Sequence, residues 1–369
     1  MRTVLLMIML GIAATTGNAQ SRPGARDLGI APGTMEPGPL NAITDVAGVR
    51  VGQVTVVQGD NVRTGVTAVL PHSGNLFQQK LAGAVFIGNA FGKLAGSTQV
   101  DELGTIETPI VLTNTLSVGT ALEAIVRWTV AQPGNENVRS VNGLVGETND
   151  GGLNDIRGLH ITREHVQSAI ANAKESAVEE GAVGAGTGTV AFNWKGGIGT
   201  SSRLVRQRDA QYTVGVLVQT NYGGKLTIAG VPVWKELTPR APQGNEDLSS
   251  EARSAKEDGS CMIVVATDAP LSARDLKRLA ARAVYAMART GSTFSNGSGD
   301  FAIAFSTKSL GQVSLPTDAV SGLFEATMDA TEEAIYNSML KATDTSGNGR
   351  TIRALPVDDL KALLKKYGR

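Results

Sequence analysis

Five short runs along the chain are almost wholly apolar or β-branched: residues 84–87, 110–113, 212–219, 262–267 and 301–306. A strand with one wet face alternates apolar and polar positions. These runs do not, so they predict strands covered on both faces. Between them lie stretches with helical periodicity, clearest at 272–290. There Ser272 with Asp275 makes a capping-box-like start, Leu276, Leu279, Ala283, Val284 and Met287 form one apolar stripe, and Gly291 ends the pattern. Similar patterns predict helices over 118–131, 163–179, 318–341 and 357–366. Glycine clusters at 49–52, 184–188 and 196–199 predict tight turns between strands. The sum is a mixed α/β protein with helices packed outside sheets.

Two segments break this pattern. The first residues, MRTVLLMIMLGIAATTGNAQ, begin with Arg2, run apolar over 4–12 and close on Gly17, Asn18 and Ala19, the layout of a secretory signal peptide. The run is shorter than the about 20 apolar residues of a spanning helix. Residues 1–19 are therefore expected to be removed, leaving 20–369 as one catalytic domain, periplasmic or secreted, without a membrane anchor. The second segment, 238–259, has Leu248 as its one large apolar residue and is rich in Pro, Ser, Glu and Asp. It cannot bury enough surface to order itself strongly and reads as a flexible linker. At Gly259-Ser260-Cys261 it passes directly into the buried-strand pattern MIVVATD.

Composition narrows the chemistry. A chain of 369 residues, 41% hydrophobic and 18% charged, is large enough for one or two substantial cores. Basic and acidic residues number 34 each, and no basic stripe with interleaved aromatics occurs, which argues against a nucleic-acid partner. Cys261 is the only cysteine, so no internal disulfide or cysteine-based metal site can form. His72, His160 and His165 lack metal-ligand spacing, and His165 reads as an exposed residue in the first turn of a helix. No GxSxG elbow is present, which disfavours the usual Ser-His-Asp hydrolase. No metal or organic cofactor is called for.

A serine that opens a core strand after a flexible loop suits a nucleophile exposed by cutting the bond before it. Gly259 would permit strained backbone there and leave the carbonyl unhindered. A Gly-Ser pair alone is a weak signal. The segments NAITDVAGVRVG (41–52), RTGVTAVLP (63–71), LTNTLSVG (112–119), GETNDGGLNDI (146–156), GAGTGTVAFNWKGGIGTSSR (184–203), VGVLVQTNYG (214–223), DGSCMIVVATDAPL (258–271) and NGSGDFAIAFST (296–307) together resemble the self-processing aminopeptidases of family S58. That family includes L-aminopeptidase/D-esterase and the β-peptidyl aminopeptidases, and the likeness spans nearly the whole mature chain in order.

The resemblance implies a four-layer αββα sandwich, like that of N-terminal nucleophile hydrolases but with different strand connectivity. It implies a cut between Gly259 and Ser260 into an α chain (20–259) and a β chain (260–369), with Ser260 as nucleophile. The freed α-amine, with a reference pKa of about 7.7–8.0, would serve as the base near neutral pH without a histidine. Ser298 and Asp300 fill the family's places for the pair that holds the terminal amine and hydroxyl; read without the resemblance, NGSGD equally suits a glycine-rich turn. Asn221, in QTNYG, would donate to the oxyanion, or is a turn asparagine after a strand. Glu147, in GETNDGG, would pair with the substrate's ammonium group, or is an exposed turn glutamate. Some relatives carry an aromatic residue where this chain has Asn149, so the substrate pocket is expected to differ there.

The expected function is an exported serine aminopeptidase acting on short peptides, amides or esters, including those of β-amino acids, as an oligomer of αβ units. Two enzymatic alternatives stand beside it: an aminopeptidase-esterase confined to α-residues, and an acyltransferase like the ornithine acetyltransferases, which use threonine. A processed but inactive periplasmic binding protein is the non-enzymatic one.

Overall fold

The computed structural model describes residues 22–207, 210–239 and 259–369. The expected signal peptide and nearly all of the expected linker lie outside the described residues. One sheet contains β1 (Arg50–Gln58), β2 (Val62–Leu70), β4 (Leu94–Ala95), β6 (Ile110–Asn114) and β7 (Leu144–Thr148), in the order β1-β2-β6-β7-β4. The other contains β3 (Leu81–Ala90), β5 (Thr105–Ile106), β10 (Gly197–Gln207), β11 (Ala210–Asn221), β12 (Ser260–Thr267) and β13 (Gly299–Ser309), in the order β10-β11-β12-β13-β3-β5. Pairings are antiparallel except β6 with β7 and β12 with β13. Two hairpins, β8 (Val190–Ala191) with β9 (Trp194–Lys195) and β14 (Thr345–Gly347) with β15 (Arg350–Ile352), stand apart from both sheets.

The layering follows from strand alternation. On β12, Met262, Val264 and Ala266 belong to the same apolar cluster as Ile110 and Leu112 of β6 and Leu144 of β7, so the two sheets face each other across it. The intervening Cys261, Ile263 and Val265 join a second cluster with helices α5 (Ala273–Thr290) and α6 (Ser321–Leu340). On the opposite side, Val111 and Val145 pack with α2 (Val118–Val130) and α3 (Arg163–Ala171). Each central strand is thus buried on both faces, which explains the unbroken apolar runs. The architecture is the expected αββα sandwich. The remaining helices, α1 (Ser97–Leu103), α4 (Val233–Glu236) and α7 (Val357–Lys366), lie outside these pairs.

Helix α5 begins where the sequence indicates: Ser272 Oγ accepts the Asp275 N–H, and Gly291 closes it at φ 100°. Its stripe of Leu276, Leu279, Ala283, Val284 and Met287 is buried, and each fully buried Leu or Val stabilises by roughly 1.5–3 kcal/mol. Helix α3 stops at Ala171 instead of running to 179. The Lys174 backbone exchanges hydrogen bonds of 3.0 and 3.1 Å with Val51, so the chain leaves the helix to pair with the edge of β1. His165 is half-buried, and its ring accepts the Thr162 N–H in a capping box.

The glycine cluster at 184–188 forms the expected turn, whereas those at 49–52 and 196–199 lie largely within strands β1 and β10. Residues 196–199 lead into β10, and 184–186 form a 3-10 turn. A Cβ at Gly199 would sit 1.9 Å from the Ala334 carbonyl of α6. Helix and sheet therefore meet backbone to backbone there, and nearby the fully buried Arg203 of β10 binds Glu333 of α6 at 2.7 Å.

Candidate active site

Ser260 opens β12 between two partners. Across the antiparallel pairing it stands opposite Asn221, the last residue of β11, and across the parallel pairing it is in register with Gly299, the first residue of β13. Side chains directly opposed on antiparallel strands share a face, so Ser260 and Asn221 point the same way, toward the inter-sheet side with Met262. Ser260 is 5% exposed.

Gly259 is required by close approach. A Cβ there would lie 2.1 Å from the Asn221 carbonyl oxygen and 2.6 Å from Tyr222 Cα. Its carbonyl accepts the Gly299 N–H at 3.0 Å.

Ser298 and Asp300 flank Gly299. Ser298 Oγ donates to the Asp300 carboxylate at 2.8 and 2.9 Å, and the carboxylate also accepts the Cys261 backbone N–H. The pair therefore lies against the main chain of Ser260 and Cys261, behind the wall of the site. Burial pushes the Asp300 carboxyl up to about 6, against the pull of those two donors. The register between β13 and β3 shifts between Asp300 and Phe301, an irregularity of the kind that re-aims side chains beside functional sites. A solvated glycine-rich turn would not bury this carboxylate.

Asn221 is 8% exposed, and its Oδ1 accepts the Val190 N–H at 3.0 Å. Glu147 is not an exposed turn residue: it lies in β7 and is 2% exposed. Its Oε1 accepts the Lys93 backbone N–H at 2.9 Å and its Oε2 accepts the Thr115 hydroxyl, while Lys93 Nζ stands 4.0 Å away. Burial raises the Glu147 carboxyl above its ordinary range, with those donors and the Lys93 charge opposing. A buried carboxylate of this kind gains from a cationic ligand.

Ser260, Gly259, Asn221, Glu147 and Asn149 all line one cavity of about 620 Å³. Asn149 Oδ1 accepts the Gly151 N–H at 2.9 Å, leaving its amide at the wall. The arrangement offers a hydroxyl, an amide donor and a carboxylate around one space large enough for a short peptide. Among the described residues no three His, Cys, Asp or Glu side chains are grouped as a metal would require.

A model of peptidase family S58 matches residues 41–352. The chain belongs to peptidase family S58. It is 43% identical to the beta-peptidyl aminopeptidase of Sphingosinicella microcystinivorans, over 98% of this chain and 96% of that protein. A protein of Pyrococcus horikoshii OT3 superposes with a TM-score of 0.86 at 46% identity, over 94% of this chain and 100% of that one. The L-aminopeptidase D-Ala-esterase/amidase of Ochrobactrum anthropi, described as a prototype for the serine aminopeptidases and a variant of the Ntn hydrolase fold, superposes at 0.85 with 36% identity, over 94% and 99% of the two chains. This S58 protein is a serine aminopeptidase hydrolase.

Several lining residues of the S58 cavity escaped the sequence reading. Phe192 and Asn193 form the two-residue turn of β8–β9 at φ 51° and 65°, a geometry that glycine-free sequence does not advertise. Phe192 stacks edge-on to Tyr222 with centroids 5.0 Å apart. Arg350 through Arg353 reach the cavity from the β14–β15 hairpin, whose turn Asn348-Gly349 is a recognisable hairpin signal. Thr115, which orients Glu147, carries no sequence signature.

Proposed function

We propose that this S58 aminopeptidase is exported, cuts itself between Gly259 and Ser260, and then uses Ser260 as an N-terminal nucleophile on short peptides, amides and esters, β-amino acyl groups included. The observation that carries the reading is the position of Ser260: at the first residue of a core strand, beside Asn221, with the preceding carbonyl hydrogen-bonded and Glu147 in the same cavity.

In the first stage the Ser260 hydroxyl attacks the Gly259 carbonyl carbon. The C–N bond breaks as the ester forms, the nitrogen takes the proton, and water hydrolyses the ester to leave a Gly259 carboxylate and a free Ser260 amine. In the second stage that amine accepts the Ser260 hydroxyl proton while Oγ attacks the substrate's acyl carbon. Asn221 Nδ2 donates to the oxyanion, Glu147 holds the substrate ammonium, and Ser298 with Asp300 orients the terminal residue. The amine's proton passes to the leaving group, and water then releases the acyl group. Glu147 makes the enzyme an aminopeptidase because a substrate ammonium gains a charge-assisted bond to that buried carboxylate which a chain without a nearby free ammonium forgoes.

The β-amino acyl preference draws on the 43% identity to a beta-peptidyl aminopeptidase. A second reading, α-residues of either hand, draws on the likeness to the Ochrobactrum anthropi enzyme. Export rests on the sequence of residues 1–19, and assembly into oligomers of αβ units on the family resemblance. Intact-mass analysis of the mature protein beside Ser260→Ala tests the core of the proposal. Two fragments meeting at Gly259/Ser260 in the wild type and one chain in the variant are expected; an uncut wild type that hydrolyses aminoacyl amides would overturn it. Parallel assays on β-, D- and L-aminoacyl amides separate the two substrate readings.

A further inference from the structure

Lys195, in β9, is a fully buried lysine whose burial the proposed mechanism does not explain. Its side chain is 0% exposed, and burying an ammonium group is expensive unless it is well paired. Its Nζ donates to the carbonyls of Gly186 at 2.9 Å and Gly196 at 2.7 Å. Burial pushes the amine down to about 7, with the charge of Asp150 opposing. Asp150 is itself buried and pushed up to about 6. Strongly perturbed groups cluster at functional sites, and Gly188 and Val190, from the segment that Lys195 contacts, line the cavity.

The two carbonyls belong to one folded loop. Gly186 O also accepts the Thr189 hydroxyl at 3.0 Å, and Thr189 O accepts the Gly196 N–H at 3.2 Å. The next residue, Val190, donates its backbone N–H to Asn221 Oδ1. That contact fixes the amide's orientation, because a backbone N–H can face only the oxygen of a carboxamide. Asn221 Nδ2 is thereby turned to the other side, where the residue lines the cavity beside Ser260.

We infer that Lys195 is a positioning residue: by clamping the Gly186 and Gly196 carbonyls it holds Val190 N–H against Asn221 Oδ1 and keeps Asn221 Nδ2 aimed at the oxyanion. This rests on the reading of Asn221 as the oxyanion donor. A lysine suits the task because one flexible, multiply donating group spans two backbone segments inside a dry site.

The test is a double-mutant cycle of Lys195→Met and Asn221→Ala, with kcat taken per cut chain and the self-cleavage rate followed by intact mass. Lys195→Met is expected to lower kcat by about 10- to 100-fold with KM nearly unchanged, since oxyanion stabilisation acts only in the transition state. In the Asn221→Ala background the same substitution should cost nothing further. Equal losses in both backgrounds, a change confined to KM, or an unaltered kcat would overturn the inference. A wild-type kcat in Asn221→Ala alone would instead sink the oxyanion reading. Should thermal melts show that Lys195→Met does not fold, Thr189→Val, which removes one hydroxyl from the same loop, goes through the same cycle with the same criterion.

Discussion

The Gly299 N–H donates to the Gly259 carbonyl at 3.0 Å, so the bond expected to break is held by the first residue of β13, the glycine that Ser298 and Asp300 flank. This contact withdraws electron density from the carbonyl that Ser260 would attack. It depends on the close passage of Gly259 over Asn221 and Tyr222, where a Cβ would meet backbone atoms that cannot swing aside. Gly259→Ala is therefore expected to leave a folded chain that cuts itself at least about tenfold more slowly, a barrier increase of about 1.4 kcal/mol. Time-resolved intact mass checks this, and cleavage at the wild-type rate would show that the approach is not needed for processing.

Asp300 has an ordinary value of 3.8 and is raised to about 6 in the fold, chiefly by burial. A raised folded-state value means that its stabilising contribution is fully present below the unfolded value and is lost as pH rises through about 6. Above that pH the fold carries an ionised carboxylate at a cost. Asp300→Asn is expected to melt higher than wild type at pH 7–8 and to lose this advantage at pH values near and below 4. It should also lose most activity, because in the proposed mechanism the ionised form holds the Ser260 amine. A variant less stable than wild type at both ends would mean that the lost hydrogen bonds outweigh the burial cost.

Glu147 is prepared for a cation by burial and held by Thr115 and Lys93. Glu147→Gln keeps the shape and removes the charge. Truncating one side of a buried charged pair typically costs about 2–5 kcal/mol, so kcat/KM for aminoacyl amides should fall by at least about 30-fold. Hydrolysis of an ester whose acyl group lacks the amine should be unchanged. Equal losses on both substrates would show that Glu147 supports the cavity without recognising the ammonium.

The strands were legible because a chain buried on both faces leaves unbroken apolar runs, as in 262–267, and α5 because Ser272, its stripe and Gly291 agree. Ser260 and its neighbours were legible through resemblance far more than through chemistry, since Gly-Ser and NGSGD also suit plain turns. Lys195 was missed because a lysine beside Gly196 and Gly197 reads as a surface residue. Its burial comes from the crossing of β9 under the 184–190 loop, a contact between segments that no local pattern encodes. The glycine cluster at 196–199 was misread for the same reason: at Gly199 the demand comes from Ala334 of α6, 135 positions away in a register that periodicity cannot supply.

Asn149 sits at the wall of the cavity with its Oδ1 engaged by the Gly151 N–H. In a space of about 620 Å³ shared with Phe192 and Arg350, an aromatic ring at 149 would occupy volume now open to the substrate. Asn149→Tyr is therefore expected to change selectivity more than rate. Small N-terminal residues such as alanine or β-alanine should be released with kcat/KM close to wild type. Bulkier ones should fall by at least about tenfold relative to them, about 1.4 kcal/mol of discrimination. Competition between paired substrates of one series measures the ratio directly. An unchanged ratio would mean that the substrate's side chain leaves the cavity by another wall, and would turn attention to the β14–β15 hairpin as the element that sets substrate size.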